Sequence, residues 1–249
     1  MQGFSSFQLV IALYQFVILL FSLSVHACAQ SWMASRLGDY TARLEGRISL
    51  NPARHIDPLG TFLYPALMIF GPLLGFTWFG DGSIIMGWGR QVPIMSRNLK
   101  NITRDSNLIT LAGPAANLLL AFGSFLLLVV LILAVPGGRV AVGSLLGTWN
   151  GPVDSLPTSA VQALTLIGIL TTEINLGLIF FNILPIPPLD GGRILRNLLP
   201  YNSIETFDQI SRFSTILIFF FGGMVIRLFL GPAMGIVVRV LLLFYGAHG

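Results

Sequence analysis

Long apolar runs separated by short polar linkers form the dominant pattern along this chain. A helix that spans a bilayer needs about 20 apolar residues. Runs of this length occupy residues 7–25, 107–135, 160–184 and 213–245. The first run continues in helical pattern to about Leu37, and the Gly231-Pro232 pair makes the last run compatible with either two short spans or one bent span.

A fifth apolar run, residues 59–79, is interrupted by Pro65, Gly71, Pro72 and Gly75. It joins two linkers that are both rich in arginine, and basic linkers favour the cytoplasmic side of a membrane. A single crossing would therefore put one basic linker on the wrong side. We interpret residues 59–79 as a re-entrant or shallow segment, which is tolerated where the backbone is buried in protein.

The distribution of basic residues orients the remaining spans. The linkers at residues 36–58, 80–106 and 185–212 each hold several basic residues, whereas residues 136–158 hold Arg139 alone. We therefore expect the first three linkers to be cytoplasmic. Together the runs predict an all-α, polytopic membrane protein of five or six segments, formed as a single membrane domain over residues 1–249.

One linker has a different pattern. The sequence between Ser83 and Met95 holds short β-prone pieces bounded by glycines and a proline. This pattern predicts a short β-strand or β-hairpin at the membrane surface. An ordinary loop fits these residues equally well, because short apolar runs are ambiguous.

Composition supports a membrane protein. Hydrophobic residues make up 54% of the 249 residues and charged residues 10%, against about 25% charged in an average soluble domain. A water-soluble enzyme is therefore excluded. The net charge is +4, and most of the basic residues lie between the apolar runs. This placement favours anionic lipid headgroups over nucleic acid as their partner. The single cysteine, Cys28, excludes an internal disulfide.

Polar residues at membrane depth are functional candidates, because ionisable groups are costly there. His26 and Gln30 are four residues apart and so share one face of the first helix. Asp190 follows a segment with three prolines in four residues, 185–188. These prolines must end the fourth helix and place the Asp190 carboxylate on non-helical backbone. Asn117 follows small residues that permit close helix packing. Taken singly, Asn117 fits a packing hydrogen bond and Asp190 a helix cap or turn.

Together these segments resemble the site-2 proteases, which are intramembrane zinc metalloproteases that cut substrate segments within or beside the bilayer. SVHACAQSWMASRLGD resembles the active-site helix of the family, and FNILPIPPLDGG resembles the motif of its third metal ligand. LNPARHIDPLG, GWGRQVPI and LAGPAANLLLA resemble connecting segments of its compact bacterial group. The resemblance covers nearly the whole chain and includes no appended regulatory domain.

The resemblance implies roles for four positions. The family motif H-E-x-x-H holds zinc through two histidines one turn apart, with the glutamate as general base. A distant aspartate is the third ligand, and water takes the fourth position. By resemblance, His26 is the first zinc ligand and Asp190 the aspartate ligand. Gln30 stands at the position of the second histidine, and Ala27 at that of the glutamate.

These two departures predict an inactive chain. The methyl group of Ala27 cannot take a proton from water, and a positioned general base contributes about 10²–10⁴-fold to a rate. The amide of Gln30 is a far poorer zinc donor than an imidazole. We expect zinc to bind weakly or not at all. Cys28 points away from the metal face, and His55 is more plausible as a structural residue than as a replacement ligand.

Three functions remain as hypotheses. The first is the peptide hydrolysis of the family, in a sequence altered to trap substrate or to prevent self-cleavage. The second is a natural pseudoprotease or chaperone that binds membrane segments, and the third is a small transporter. The expected partners are membrane lipid and transmembrane or membrane-adjacent peptide segments, without nucleic acid. The segment from Ser83 to Met95 is a candidate edge for an extended peptide. Asn182 is a candidate to add a side-chain hydrogen bond to it, and a packing role fits this residue equally well. We expect the protein in a bacterial inner membrane, its motif-bearing linkers cytoplasmic.

Overall fold

The computed structural model describes residues 6–71, 85–147 and 157–246. Its regular structure is helical, and the α-helices are α1 (Ser6–Arg36), α2 (Thr41–Leu44), α3 (Tyr64–Phe70), α4 (Ile102–Ala134), α5 (Gly138–Gly147), α6 (Ala160–Ile183), α7 (Asp190–Leu198), α8 (Tyr201–Ser211) and α9 (Ser214–Gly246). Short helical turns lie at Pro52–Arg54, Pro58–Leu63 and Ser96–Asn98. The prediction of an all-α protein is confirmed for this part of the chain.

Four of the described helices are long and apolar enough to cross a membrane. These stretches are Leu9–Arg36, Ile102–Ala134, Ala160–Ile183 and Phe220–Gly246. They identify an integral membrane protein, as predicted. The last apolar run forms one helix, α9, which carries Pro232 in its interior. The count of five or six segments is not confirmed, since Pro58–Phe70 is shorter and residues 72–84 lie outside the described part.

Helix α4 lies at the centre of the bundle. It packs mainly against α1 and α6, and also contacts α5, α7 and α9. Hydrogen bonds between buried side chains join the helices: Ser124 of α4 with Thr172 of α6 at 2.9 Å, and Asn175 of α6 with Ser22 of α1 at 3.0 Å. Such pairs hold polar groups that have no water partner at membrane depth.

The predicted strand or hairpin is not confirmed. Ser83 lies outside the described residues, and residues 85–95 form no regular structure. The backbone N–H of Trp88 donates to the carbonyl of Gly60 at 3.2 Å, and that of Arg90 to the carbonyl of His55 at 2.7 Å. The partner segment carries helical turns, so it offers no strand with which a ladder can form.

Aromatic side chains fix this segment to the bundle. The ring of Trp88 lies 5.5 Å from that of Tyr64 and 6.2 Å from that of Phe181, centroid to centroid. Gly60 lies beneath the indole, and a Cβ at Gly60 would come within 2.4 Å of that ring. The contact between backbone and ring therefore requires glycine, and it holds residues 85–91 close to the end of α6.

Asp39 joins the end of α1 to the loop that precedes α4. Its buried carboxylate accepts hydrogen bonds from the backbone N–H of Met95 at 2.7 Å and from the amide of Asn98 at 2.9 Å. Thr41 donates to it through both its backbone N–H and its hydroxyl group. Burial acts to raise the pKa of Asp39, but these hydrogen bonds favour the carboxylate and leave its pKa below the usual value.

We predict that Asp39→Asn destabilises the protein by about 2 kcal/mol at neutral pH, because the amide cannot accept all the hydrogen bonds that the carboxylate accepts. The measurement is thermal unfolding in detergent. Since the folded-state pKa is lowered, the stabilisation is present above the unfolded value of about 3.9 and is lost as the pH falls through the folded pKa. The two proteins should therefore converge in acid. Asp208→Asn, on the exposed surface, should leave the unfolding midpoint unchanged.

Candidate functional site

Two side chains that are far apart in sequence meet in the interior of the protein. Nε2 of His26, on α1, lies 2.9 Å from Oδ2 of Asp190, and both residues are buried. Asp190 is the first residue of α7, so the prediction that it lies on non-helical backbone is corrected by one residue: residues 184–189 form the turn, and the helix begins at the aspartate. The prolines end α6 and reverse the chain there.

The two glycines that follow Asp190 allow this reversal. A Cβ at Gly191 would lie 2.0 Å from the carbonyl oxygen of Ile183, and one at Gly192 would lie 2.4 Å from the backbone nitrogen of Pro187. The first turn of α7 thus rests directly on the end of α6, with no room for side chains between them. This contact places the Asp190 carboxylate against α1.

Gln30 completes a cluster of hydrogen bonds around the carboxylate. Its Nε2 lies 3.0 Å from both oxygens of Asp190 and 3.0 Å from the carbonyl oxygen of Thr110 on α4. The same atom lies 3.2 Å from Nε2 of His26. One amide nitrogen therefore contacts residues of α1, α4 and α7.

One assignment of protons satisfies these contacts except the 3.2 Å approach of Nε2 of Gln30 to Nε2 of His26, where both atoms are donors. The two amide hydrogens of Gln30 go to the carbonyl of Thr110 and to the Asp190 carboxylate, which are both acceptors. Nε2 of His26 then carries a hydrogen and donates it to Asp190. Nδ1 of His26 is left as an acceptor for the amide of Asn117, 3.2 Å away. In this arrangement the carboxylate is held by two donors.

Helix α4 supplies the surface on which His26 lies. A Cβ at Gly113 would come within 2.2 Å of Nε2 of His26 and within 2.6 Å of two ring carbons. The imidazole therefore lies flat against the backbone of α4 at this glycine. Asn117, one turn further along, is fully buried and contacts the other ring nitrogen. The small residues of the Gly113 region permit this close approach.

Ala27 lines the pocket beside the cluster without contributing a polar group. It is buried and packs with Ala42 and Val92. Asp190 is the one carboxylate among the described residues that line this pocket, and it is already held by His26 and Gln30. The methyl group at position 27 cannot take a proton from a water molecule.

The donor set does not fit a catalytic zinc ion. Such sites need three protein ligands, and the described residues contain no group of three or more His, Cys, Asp or Glu side chains placed to hold a metal. His26 and Asp190 are suitable donors, but the third position presents the amide nitrogen of Gln30, which has no lone pair to give. An imidazole at position 30 would supply the missing donor.

The other residues named from sequence lie in different places. Asn182 lines the pocket, and its amide donates to the carbonyl of Leu178 in its own helix at 2.9 Å. Met95 is exposed and contributes its backbone N–H to Asp39. His55 is buried in the loop after α2, where Nε2 bonds the carbonyl of Ser49. Cys28 does not line the pocket, and His248 lies outside the described residues.

Sequence reasoning missed Arg193, which it counted only as a basic linker residue. Arg193 lies one turn after Asp190 on α7 and lines the same pocket. Burial lowers the pKa of its guanidinium and the charge of Asp190 raises it, but an arginine stays protonated at any physiological pH. The i to i+3 spacing from Asp190 was the signal that could have identified it.

We predict that Gly113→Ala destabilises the protein by about 1–3 kcal/mol, the usual cost of overpacking a filled site, because the new methyl group displaces the His26 ring. The measurement is the thermal unfolding midpoint in detergent. The matched control is Gly123→Ala in the same helix, where a Cβ meets nothing within 4 Å. That change should be neutral or slightly stabilising, since alanine is the better helix former. Equal effects at both positions would contradict the flat packing of the imidazole.

Comparison with known proteins shows which family this chain is similar to. Residues 14–222 match the model of peptidase family M50. The chain is 32% identical over 201 residues to "Putative zinc metalloprotease YwhC" of Bacillus subtilis, covering 80% of this chain and 75% of that protein. It is 30% identical over 172 residues to "Putative zinc metalloprotease Rip2" of Mycolicibacterium smegmatis, covering 69% of this chain and 52% of that protein.

The comparison with solved structures found no match. The family match spans most of the sequence and contains both segments that meet at the site, the one around His26 and the one around Asp190. The chain therefore belongs to peptidase family M50, the site-2 protease family.

Proposed function

We propose that this chain binds membrane-embedded peptide segments in the groove of a site-2 protease without hydrolysing them. The observation that carries this proposal is the position of the Gln30 amide nitrogen, within 3.0 Å of both Asp190 oxygens and of the Thr110 carbonyl. A hydrogen-bonded amide takes the place where the family's second imidazole would present a lone pair to zinc. The proposal includes weak or absent zinc binding.

The chemistry of peptide hydrolysis needs a water molecule that has been activated. In zinc enzymes of this class the metal lowers the pKa of the water, and a neighbouring carboxylate takes its proton. At position 27 a methyl group packs with Ala42 and Val92, so this carboxylate is missing. His26 and Asp190 are engaged with each other and with Gln30. This pairing leaves neither group in position to activate water.

Binding requires a surface that can satisfy an unwound peptide backbone, because unpaired N–H and C=O groups are costly in lipid. The N–H groups of Trp88 and Arg90 both donate to the segment that carries His55 and Gly60. Two N–H groups that alternate in this way are typical of locally extended chain, and from this we infer that the N–H of Gly89 between them faces the opposite side. Residues 88–91 line the pocket. We call the side of this segment that carries the Gly89 N–H the free edge. We propose that the free edge pairs with the backbone of the bound segment.

Asn182 belongs to the same groove, on the last turn of α6. Its amide bonds its own helix, and its oxygen is available in the proposal as an acceptor for a peptide N–H. The proposed setting is a bacterial inner membrane with the basic linkers cytoplasmic. Lipid headgroups and peptide segments are the proposed partners, with no role for nucleic acid. The two relatives are described as zinc metalloproteases. We propose that the groove of this chain derives from such an enzyme.

Restoring both missing groups should restore the chemistry. We predict that the double variant Ala27→Glu, Gln30→His binds about one zinc ion per chain and cleaves a membrane peptide that carries a helix-breaking pair. Either single change should fail to restore cleavage, because metal and general base act as a unit and their effects on the rate are strongly non-additive. The measurements are elemental analysis and peptide cleavage in detergent. His26→Ala in the double variant is the control and should abolish both. Cleavage by the unmodified chain at the rate of the double variant would refute the proposal.

The free edge is tested at Gly89. We predict that Gly89→Pro lowers crosslinking of a photoreactive helix-broken membrane peptide by about tenfold, because proline removes the N–H on the pocket side. The bonds made by Trp88 and Arg90 stay in place. The matched control is Gly89→Ala, which adds a Cβ at the same position, 3.1 Å from the His55 carbonyl, and keeps the N–H. Equal crosslinking by both variants, with unchanged folding, would exclude pairing along this edge.

A further inference from the structure

The guanidinium of Arg193 lies at the pocket without a hydrogen-bond partner among the residues that the structure describes. Its side chain makes no hydrogen bond or ion pair with the residues that the structure describes, and its Nη1 is fully buried. The side chain lines the same pocket as His26, Gln30 and Asp190. An unpaired guanidinium N–H away from water is costly, and native structures normally supply an acceptor for it.

The nearby carboxylate does not supply that acceptor. Asp190 lies close enough to Arg193 to act on its charge, but the two side chains form no ion pair within 4.0 Å. The oxygens of Asp190 accept from His26 and Gln30 instead. Arg90 also lines the pocket, so its charged groups are two arginines against one carboxylate. The pocket therefore carries a surplus of positive charge beside an unused donor.

The neighbouring arginine on the same helix shows the contrast. Arg196, three residues further along α7, is exposed and forms a two-point contact with Asp208, through Nε at 2.8 Å and Nη2 at 2.8 Å. The planar guanidinium fork matches a carboxylate in this way. At the surface the fold supplies the matching acid, whereas in the pocket the described residues supply none for Arg193.

We propose that Arg193 is a carboxylate-binding subsite, and that the groove recognises a peptide segment that presents a carboxylate to it. This inference rests on the proposed function, because the peptide must lie along the free edge at Gly89 for its carboxylate to enter the pocket. The geometry points to two sources of the same chemistry. One is the free C-terminal carboxylate of a peptide, and the other is an aspartate or glutamate side chain within the segment.

If the ligand of Arg193 is the free C-terminal carboxylate of a peptide, the site has a place in a reaction sequence. A carboxylate at a peptide end within the membrane is produced when another protease hydrolyses a peptide bond there. A chain that holds such ends would act after hydrolysis, on the product rather than on the intact segment. The side-chain source carries no such order, so distinguishing the two also distinguishes these roles.

The experiment measures binding of labelled apolar peptides to the full chain in nanodiscs of zwitterionic lipid. One pair of peptides differs only in a C-terminal carboxylate or amide. A second pair, amidated at the end, differs only in a central Glu or Gln. We expect the carboxylate to bind about tenfold more tightly than its neutral counterpart in at least one pair, because one charge-assisted two-point contact is gained.

Variants assign that preference to the arginine. Arg193→Gln should reduce the preference to less than about twofold, and Arg193→Lys, which keeps the charge without the fork, should leave an intermediate preference. The matched control is Arg196→Gln, which removes a guanidinium from the same helix outside the pocket and should keep the full preference. Thermal unfolding of each variant checks that it is folded.

The outcomes separate this inference from the proposed function. If neutral and carboxylate peptides bind the unmodified chain equally well in both pairs, the subsite is overturned while the groove remains a peptide site. If the preference persists in folded Arg193→Gln, the carboxylate lies elsewhere and the subsite is also overturned. If none of the peptides binds, the proposed function fails together with the subsite. The comparison of peptides on the unmodified chain stays decisive even if Arg193→Gln does not fold.

Discussion

A carboxylate and an imidazole that meet inside a membrane protein constrain everything around them. His26 and Asp190 are 164 residues apart in sequence and 2.9 Å apart in space, and both are buried. At this depth an unpaired polar group costs several kcal/mol, so each remaining lone pair and hydrogen needs a partner from the protein. The proline turn before α7, the glycines that follow Asp190 and the glycine under the His26 ring all serve to make this contact possible.

The same constraint explains why Gln30 is compatible with the scaffold. In a metal centre the ligands converge because each coordinates the ion. Here the amide of Gln30 donates one hydrogen to the Asp190 carboxylate and the other to the Thr110 carbonyl. The imidazole of His26 is the second donor to Asp190. Hydrogen bonds thus join α1, α4 and α7 at the positions that, by the motif resemblance, correspond to the zinc ligands of the family. Under our proposal the groove persists for this reason while its chemistry is lost.

The sequence predicted the long helices well, because their signal is local. The runs at residues 107–135 and 160–184 correspond to Ile102–Ala134 and Ala160–Ile183, and the spacing of His26 and Gln30 placed both on one face. The resemblance, rather than any periodicity, brought Asp190 to that face. The family itself was recognised from motifs and is shown by the comparisons.

What the sequence did not predict depends on contacts between distant segments. Nothing local indicates that the amide of Gln30 reaches the carbonyl of Thr110, or that Asp39 accepts from the loop before α4. Residues 85–95 have the composition of a strand, but their backbone bonds go to helical turns. Arg193 was interpreted only as one of the basic linker residues that orient the membrane spans, which is the usual role of a basic residue in a linker. That its buried Nη1 has no hydrogen-bond partner among the described residues is visible only in the folded structure.

The central claim is that hydrogen bonds rather than a metal hold this site together. Its most direct test is thermal unfolding of the unmodified chain in detergent, with added zinc and with a strong chelator. A ligand that binds the folded state raises the unfolding midpoint with its concentration. Our account predicts the same midpoint in both conditions. A midpoint that rises with zinc and falls with the chelator would contradict it, because it would show that the folded site binds the metal.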